Sequence, residues 1–377
     1  MLPNNILTQE QRIVILASRL TFSEDDEKEL TKLAKEKLDW FQVFKIALKN
    51  QVIQLIWNNL KVRNLEQNIP NRLRYVFLFY TSGTKERNLI IFHELMQIMK
   101  AIQPENNQCV IVKGGYLIPH VYKDFGIRTV SDIDFLIPVA QVKQLRAIMN
   151  SLGYIEGDYD SVTNTIKPPN REREVFYTIS MHQTIPFRKI INSSFIKYIT
   201  FDVNFLFDHY IKPELVNLVI SRAEVSQDGY YRYLKSSDFF IHQCCHHYKD
   251  AFSAAAIFIN SNLNIVKYCD LREYILQHMN ESQLYEAIEF AKENGLEKPV
   301  YFTLYCLEQI YNDGYEKKLL QALNIKDNEF INKFGKNEYG YEITWKKNFW
   351  QRLFSESNID ELPYEPKQAK VMNLSTK

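Results

Sequence analysis

Net charge is almost absent from this sequence: 46 Lys and Arg stand against 45 Asp and Glu, leaving +1. With no overall field to draw in a polynucleotide or an anionic membrane, a nucleic-acid partner would need a local basic stripe. Cysteine is scarce as well. Cys109, Cys244, Cys245, Cys269 and Cys306 are odd in number, sit mostly in apolar runs and contain no C-x-x-C pair. That usage points to buried, reduced thiols in a cytoplasmic protein. Long apolar runs are missing, since stretches such as Val110–Val112 and Ala254–Ile259 are too short to span a bilayer, and no membrane partner is expected. The first residues, MLPNNILTQEQRIVILASRL, lack a cationic start, a long apolar stretch and a small-residue cleavage site, so no signal peptide is expected. Internal repeats and low-complexity segments are also lacking.

What remains is ample material for a packed core. The chain has 377 residues, 46% of them hydrophobic, with 23 Tyr and 24 Phe, which is far from a disordered composition. Residues 1–105 read as helical. Ser23 is an N-cap ahead of Glu24-Asp25-Asp26, and apolar residues recur at helical spacing from Trp40 to Ile56. A further amphipathic run from Arg72 to Ile102 is punctured near Thr81-Ser82-Gly83. At Gln108 the pattern changes. Cys109–Val112 is a short strand running into a turn at Lys113-Gly114-Gly115, and Tyr116–Phe125 suits a helix. Asp132–Ile137 alternates and stops at Pro138, which predicts a second strand. Val139–Ser151 reads as a helix closed at Gly153. Residues 157–173 form a polar loop or hairpin, and Thr200–Leu206 alternates again as a third strand. From Ser236 the chain returns to helix, and beyond about Lys336 it reads as polar and irregular. The expected fold is α/β in the α+β sense: a small mixed sheet with packed helices at 106–210, flanked by helical regions at 1–105 and 211–377.

The middle third carries the chemistry. Asp132 and Asp134, at i and i+2 on a strand, send both carboxylates from one face of the sheet. Like charges so placed repel, and a divalent cation between them relieves the repulsion. Mg²⁺ or Mn²⁺ suits such oxygen ligands, usually with substrate phosphates completing the shell. Asp202, on the third strand, can supply a further carboxylate for an in-line displacement at phosphorus. An isolated D-x-D is more often a solvated strand edge; the upstream Gly114-Gly115 shifts the balance. Two glycines after a buried strand let backbone N–H groups approach a triphosphate without Cβ interference.

Residues 111–137, IVKGGYLIPHVYKDFGIRTVSDIDFLI, resemble the signature of the uncharacterised nucleotidyltransferases of the DNA polymerase β-like superfamily. In that family an apolar strand runs into Lys-Gly, a helix with a Tyr follows, and an Arg precedes an Asp-x-Asp strand. Here these are Lys113-Gly114, Tyr122, Arg128 and Asp132-Ile133-Asp134. The similarity extends to Phe201-Asp202-Val203, to WFQVFKIALKNQVIQLIWNNL before it and to FFIHQCCHHYKD and IVKYCDLREYI after it, roughly residues 35–280 in all. Two departures stand out. Sixteen residues separate Gly115 from Asp132, longer than in many of these enzymes, and Asn204 stands where the family often has His.

The resemblance implies transfer of a nucleoside monophosphate from an NTP, with ATP the first expectation, to a hydroxyl or similar acceptor on a small molecule, natural product or peptide. Asp132, Asp134 and Asp202 are the expected catalytic and metal-holding residues. Lys113, Gly114, Gly115, Arg128 and Ser131 are the expected nucleotide-binding ones. Asp202 either holds the second ion or accepts the nucleophile's proton. Alternatives are modification of a protein or an RNA end, or a non-catalytic nucleotide-binding regulator. Arg128 has an ion pair with Asp124 as its competing role, and Lys167, Arg171 and Arg173 either cover a bound triphosphate or are simply solvated. His242 and His246, at i and i+4, have a zinc-compatible spacing, but their apolar neighbours favour packed helix histidines; His246 or His247 facing the active site is the more plausible functional role.

Overall fold

The computed structural model describes residues 6–105, 108–206, 213–337 and 339–366. It is a mixed α/β protein whose chain divides into two units, Met1–Ser82 with Phe240–Lys377, and Gly83–Phe239. The segment expected at 106–210 thus lies wholly within the second unit.

The first unit opens with α1 (Gln9–Leu16), α2 (Glu24–Ala34), α3 (Trp40–Lys49) and α4 (Ile53–Val62). Ser23 caps α2 as expected, with its hydroxyl accepting from Asp26 N–H and four acidic residues in the first turn. Asp39 caps α3 by accepting from Phe41 and Gln42 N–H. α5 (Asn71–Ile102) then runs unbroken for 32 residues. The expected interruption at Thr81-Ser82-Gly83 does not occur. Thr81 returns its hydroxyl to the Phe77 carbonyl at 3.0 Å, and a single Gly in a helix this long weakens it without ending it.

The second unit is built on a seven-stranded mixed sheet. Its strands are β1 (Val110–Val112), β2 (Ile133–Leu136), β3 (Ile155–Glu156), β6 (Phe187–Ile190), β7 (Tyr198–Asn204), β8 (Glu224–Val225) and β9 (Arg232–Tyr233), while β4 (Asp158–Asp160) and β5 (Thr165–Lys167) form a separate hairpin. The order is β3-β6-β7-β2-β1-β9-β8. β1 and β2 are antiparallel, β2 and β7 parallel, β7 and β6 antiparallel. Pairing Asp134 with Asp202 and Phe135 with Val203 puts Ile133, Phe135, Phe201 and Val203 on one face. There Phe135 stacks on Phe201 at 5.5 Å and Tyr154 meets Phe201 edge-on at 5.3 Å. Tyr154 donates to Glu94 of α5 at 2.8 Å, and Lys189 holds the same carboxylate at 2.8 Å.

Helices fill the connections. α6 (Gly114–Leu117) follows β1 directly, α7 (Val142–Ser151) follows β2 and closes at Gly153 with φ +82°, and α8 (Arg171–Val175) follows the hairpin; α9 (Pro213–Ser221) comes after β7. The helix expected at Tyr116–Phe125 is shifted: it starts at Gly114, widens into a π-helical turn over Ile118–Tyr122 and stops at left-handed Lys123.

α10 (Ser236–Phe252) leads back to the first unit, which continues through α11 (Ala254–Phe258), α12 (Ile265–His278), α13 (Glu281–Asn294), α14 (Glu297–Ile310) and α15 (Tyr315–Leu323). The stretch after Lys336 is more regular than expected. A short strand pair, Lys333–Phe334 with Ile343–Thr344, is followed by α16 (Phe349–Phe354), which Asn348 caps and which buries Phe349, Trp350 and Leu353. All five cysteines are buried and none is in a disulfide. Among the described residues no helix is long and apolar enough to cross a membrane.

Candidate active site

The face of the sheet opposite the Phe135–Phe201 core carries the acids. Val112 of β1 pairs with Asp134 of β2, and Asp134 with Asp202 of β7. Asp132 lies two residues before Asp134, so period-two alternation sends it to the same face. All three expected carboxylates therefore share one surface. Asp134 is the most enclosed: Lys113 Nζ pairs with its Oδ1 at 2.7 Å, and Asn204 Nδ2 donates to the same oxygen at 3.3 Å. Asn204 thus helps to hold the second acid. Ser131 donates its hydroxyl to Asp132 Oδ1 at 2.8 Å. Asp202 Oδ1 is buried without a hydrogen-bond partner.

Electrostatics follow from this crowding. Burial first, then the like charges of Asp132 and Asp134, push the Asp202 carboxyl up to about 8, against the pull of Lys113 and Arg188. Asp132 is raised too, by desolvation and by Asp134, with Lys113, Ser131 and Arg128 opposing. Among the described residues, no three His, Cys, Asp and Glu side chains converge closely enough to hold a metal ion. Lys113 and Asn204 draw Asp134 one way, while Ser131 holds Asp132.

The glycines also answer to packing. Lys113, not a glycine, carries the positive φ of +52° that turns the chain out of β1. Gly114 and Gly115 form the first turn of α6, and close packing demands them. A Cβ on Gly115 would stand 2.6 Å from Ile111 Cγ2, and one on Gly114 would stand 3.2 Å from Arg128 Nη1. Arg128 therefore lies against the start of α6, its Nη1 donating to Thr129 O at 2.6 Å, while Asp124 accepts from Gly126 N–H at 2.7 Å. Asn88 of α5 anchors this loop. Its amide donates to the Phe125 and Arg128 carbonyls at 2.8 and 2.7 Å and accepts from Val130 N–H at 3.3 Å.

Other weighed residues separate cleanly. Lys167 pairs with Asp160 and Arg171 with Glu174, both at the surface. Arg173 is buried and turns inward to Asp158. His242 and His247 are buried in α10, and His246 lies 3.5 Å from Asp250.

Three residues beside the acids escape notice in the sequence. Arg87 of α5 sits in the field of Asp132 and Tyr198, although burial lowers its pKa. Arg188 of β6 acts on Asp202. Tyr177, in a π-helical turn, feels the charge of Asp202 while bonding to Arg173. The basic pair Arg188-Lys189 between Phe187 and Ile190 was the available signal for Arg188; for Arg87 there was none.

Carboxylates on one face of a mixed sheet, beside a helix that starts on paired glycines at the end of the next strand, define a protein of the nucleotidyl-transfer class. Residues 36–312 match the family model described as uncharacterised nucleotidyltransferase, and this chain belongs to that family. No match was found among curated proteins or among solved structures.

Proposed function

We propose that this chain transfers a nucleoside monophosphate from an NTP, ATP being the first to test, to a hydroxyl of a small-molecule, natural-product or peptide acceptor, with Mg²⁺ or Mn²⁺ as the metal. One observation carries the reading: Asp134 and Asp202 are register partners on adjacent parallel strands, with Asp132 on the same face. The donors are all hard oxygens, which suits these ions. Mg²⁺ usually takes one or two carboxylates and completes its shell with substrate phosphates, so a preassembled protein cage is not required. Asp132 and Asp134 would hold the ion, which when bound neutralises charge on the transferring phosphoryl group.

The chain's own residues do the rest. Lys113, Arg128, Ser131 and the backbone of Gly114 and Gly115 orient the triphosphate beside Asp134. Asp202, with Oδ1 buried and without a hydrogen-bond partner, takes the acceptor's hydroxyl proton. The hydroxyl oxygen bonds to the α-phosphorus as the bond to the β-phosphate oxygen breaks, and pyrophosphate leaves. Positioning and charge neutralisation supply most of the rate.

The test is pyrophosphate release, with an acceptor mass shift, in the presence of Mg²⁺ and NTP. Asp132→Asn, Asp134→Asn and Asp202→Asn should each lower turnover roughly a hundredfold or more, with metal-free melting unchanged or slightly raised. Variants that unfold while their folded fraction keeps full turnover would make the aspartates structural and sink the reading. So would calorimetry showing equal NTP affinity with and without chelator.

A further inference from the structure

We propose that Arg173 and Arg188 form an anion clamp on the acceptor side of the carboxylates, latched in the free protein by Asp158, so that the acceptor carries a phosphate or carboxylate group. The word acceptor rests on the transfer reaction above; the anion site does not.

Strand order gives the side. The Gly114-Gly115 helix start follows β1, and the acids sit on β2 and β7, so Arg188 of β6 lies across Asp202 from the expected triphosphate site. Arg188 pairs with Thr200 in register, two residues before Asp202, which puts it on the acid face. Its charge reaches Asp202, and Tyr177 joins Arg173 to the same carboxylate's field.

Arg173 Nη1 and Nη2 and Arg188 Nη1 all turn to one carboxylate, Asp158, the latter two at 3.2 Å from Oδ1. The two guanidiniums share this carboxylate, Arg188 Nη1 also donates to the Gly157 carbonyl, and both Nε groups are buried without a hydrogen-bond partner. The arginine side chains are only 9% and 17% exposed, against 37% for Asp158. Fixing the hairpin would need one arginine. A second, desolvated guanidinium is costly unless an anion completes it.

Asp158 begins β4, whose ladder among the described residues is the three-residue hairpin with β5, a pairing that is weak by itself, and it follows Gly157, whose carbonyl accepts from Arg188 Nη1. Tyr159, the next residue, stacks on Tyr198 at 4.5 Å. Tyr159 also lines a cavity of about 520 Å³ with Ser161, Asn164, Asn192 and Lys197. An incoming phosphate or carboxylate would replace Asp158 on a planar two-arginine fork.

Calorimetry on the full chain, with inorganic phosphate and acetate as separate titrants, tests this. Phosphate should bind the wild type, bind Asp158→Asn about tenfold more tightly and bind Arg188→Gln at least tenfold more weakly. Arg188→Lys, which keeps the charge and loses the fork, should fall between, and a melting curve for each variant guards against misfolding. Acetate following the same order at equal strength points to a carboxylate acceptor; phosphate alone following it points to a phosphorylated one. A fluorescent NTP with Mg²⁺ should bind Arg188→Gln as it binds the wild type. Phosphate affinity unchanged in Arg188→Gln, or not improved in Asp158→Asn, overturns the clamp. NTP affinity falling in step with phosphate affinity overturns its assignment to the acceptor. Phosphate binding that depends on Arg188 in a protein that takes no NTP would support the anion site and refute the transfer reaction.

Discussion

Replacing Asp202 by Asn should remove a slope in the metal-free protein's stability. In the fold the carboxyl is raised from 3.8 to about 8, so between those values the folded state holds a proton that the unfolded chain has released. Stability therefore falls as pH rises through this window and levels off above it. A single proton contributes at most about 1.4 kcal/mol per pH unit, so raising pH from about 5 to about 7 should cost about 2–3 kcal/mol. For a unit of this size that is roughly 5–10 °C in Tm. Asp132, also raised, adds a slope of the same sign, and His182, lowered by burial, one of the opposite sign near its own range. The difference between wild type and Asp202→Asn removes both to first order. The assay is a set of thermal melts in chelator across the window, repeated with Mg²⁺. Wild type should lose Tm towards pH 8 more steeply than the variant, which keeps the slopes of Asp132 and His182, with the gap narrowing when Mg²⁺ is added. Parallel curves for the two proteins, or a steeper fall in the variant, would refute the claim that Asp202 is desolvated among like charges.

Gly115→Ala drives a methyl against Ile111, a branched residue held in β1, and should destabilise by about 1–3 kcal/mol in a denaturant melt. Asn88→Ala leaves the Phe125 and Arg128 carbonyls and Val130 N–H without their partner, a loss of about 2–4 kcal/mol in denaturant midpoint measurements. Lys49 is lowered to about 8 by burial and by Lys347, so wild-type stability should rise with pH between about 8 and the normal lysine range. Lys49→Met should lack that rise and be more stable at neutral pH by about 1–3 kcal/mol; a less stable variant would show that its bond to the Leu353 carbonyl outweighs the burial cost.

The acid strand and its neighbour were legible because a half-buried strand writes its two faces into alternate positions, as Asp132-Ile133-Asp134-Phe135 does. Caps were legible for a similar local reason, Ser23 being followed by the acids that it orients. Interactions between distant parts of the chain left no such trace. Arg87 reaches Asp132 from a helix that ends before β1 begins, and Arg188 reaches Asp202 through a strand pairing that four residues do not announce. Gly83 misled because a glycine in a long helix looks the same whether it breaks the helix or rides through it. At Gly114 and Gly115 the sequence did not show that the turn's positive φ falls on Lys113, or that Ile111 of β1 and Arg128 press against the glycines.

The in-register pairing of Asp134 with Asp202 has a consequence for how this sequence can change by insertion or deletion. A single added or lost residue within β2 or β7 would turn every side chain on that strand over at once. The acids of that strand would enter the apolar layer and its phenylalanine would face water. Chemistry and packing are thus tied to the same alignment, and neither strand can shift by one position to suit a new substrate without giving up the core. Such freedom belongs to the hairpin and the loops outside the ladder, where length can vary while the carboxylates stay opposite one another.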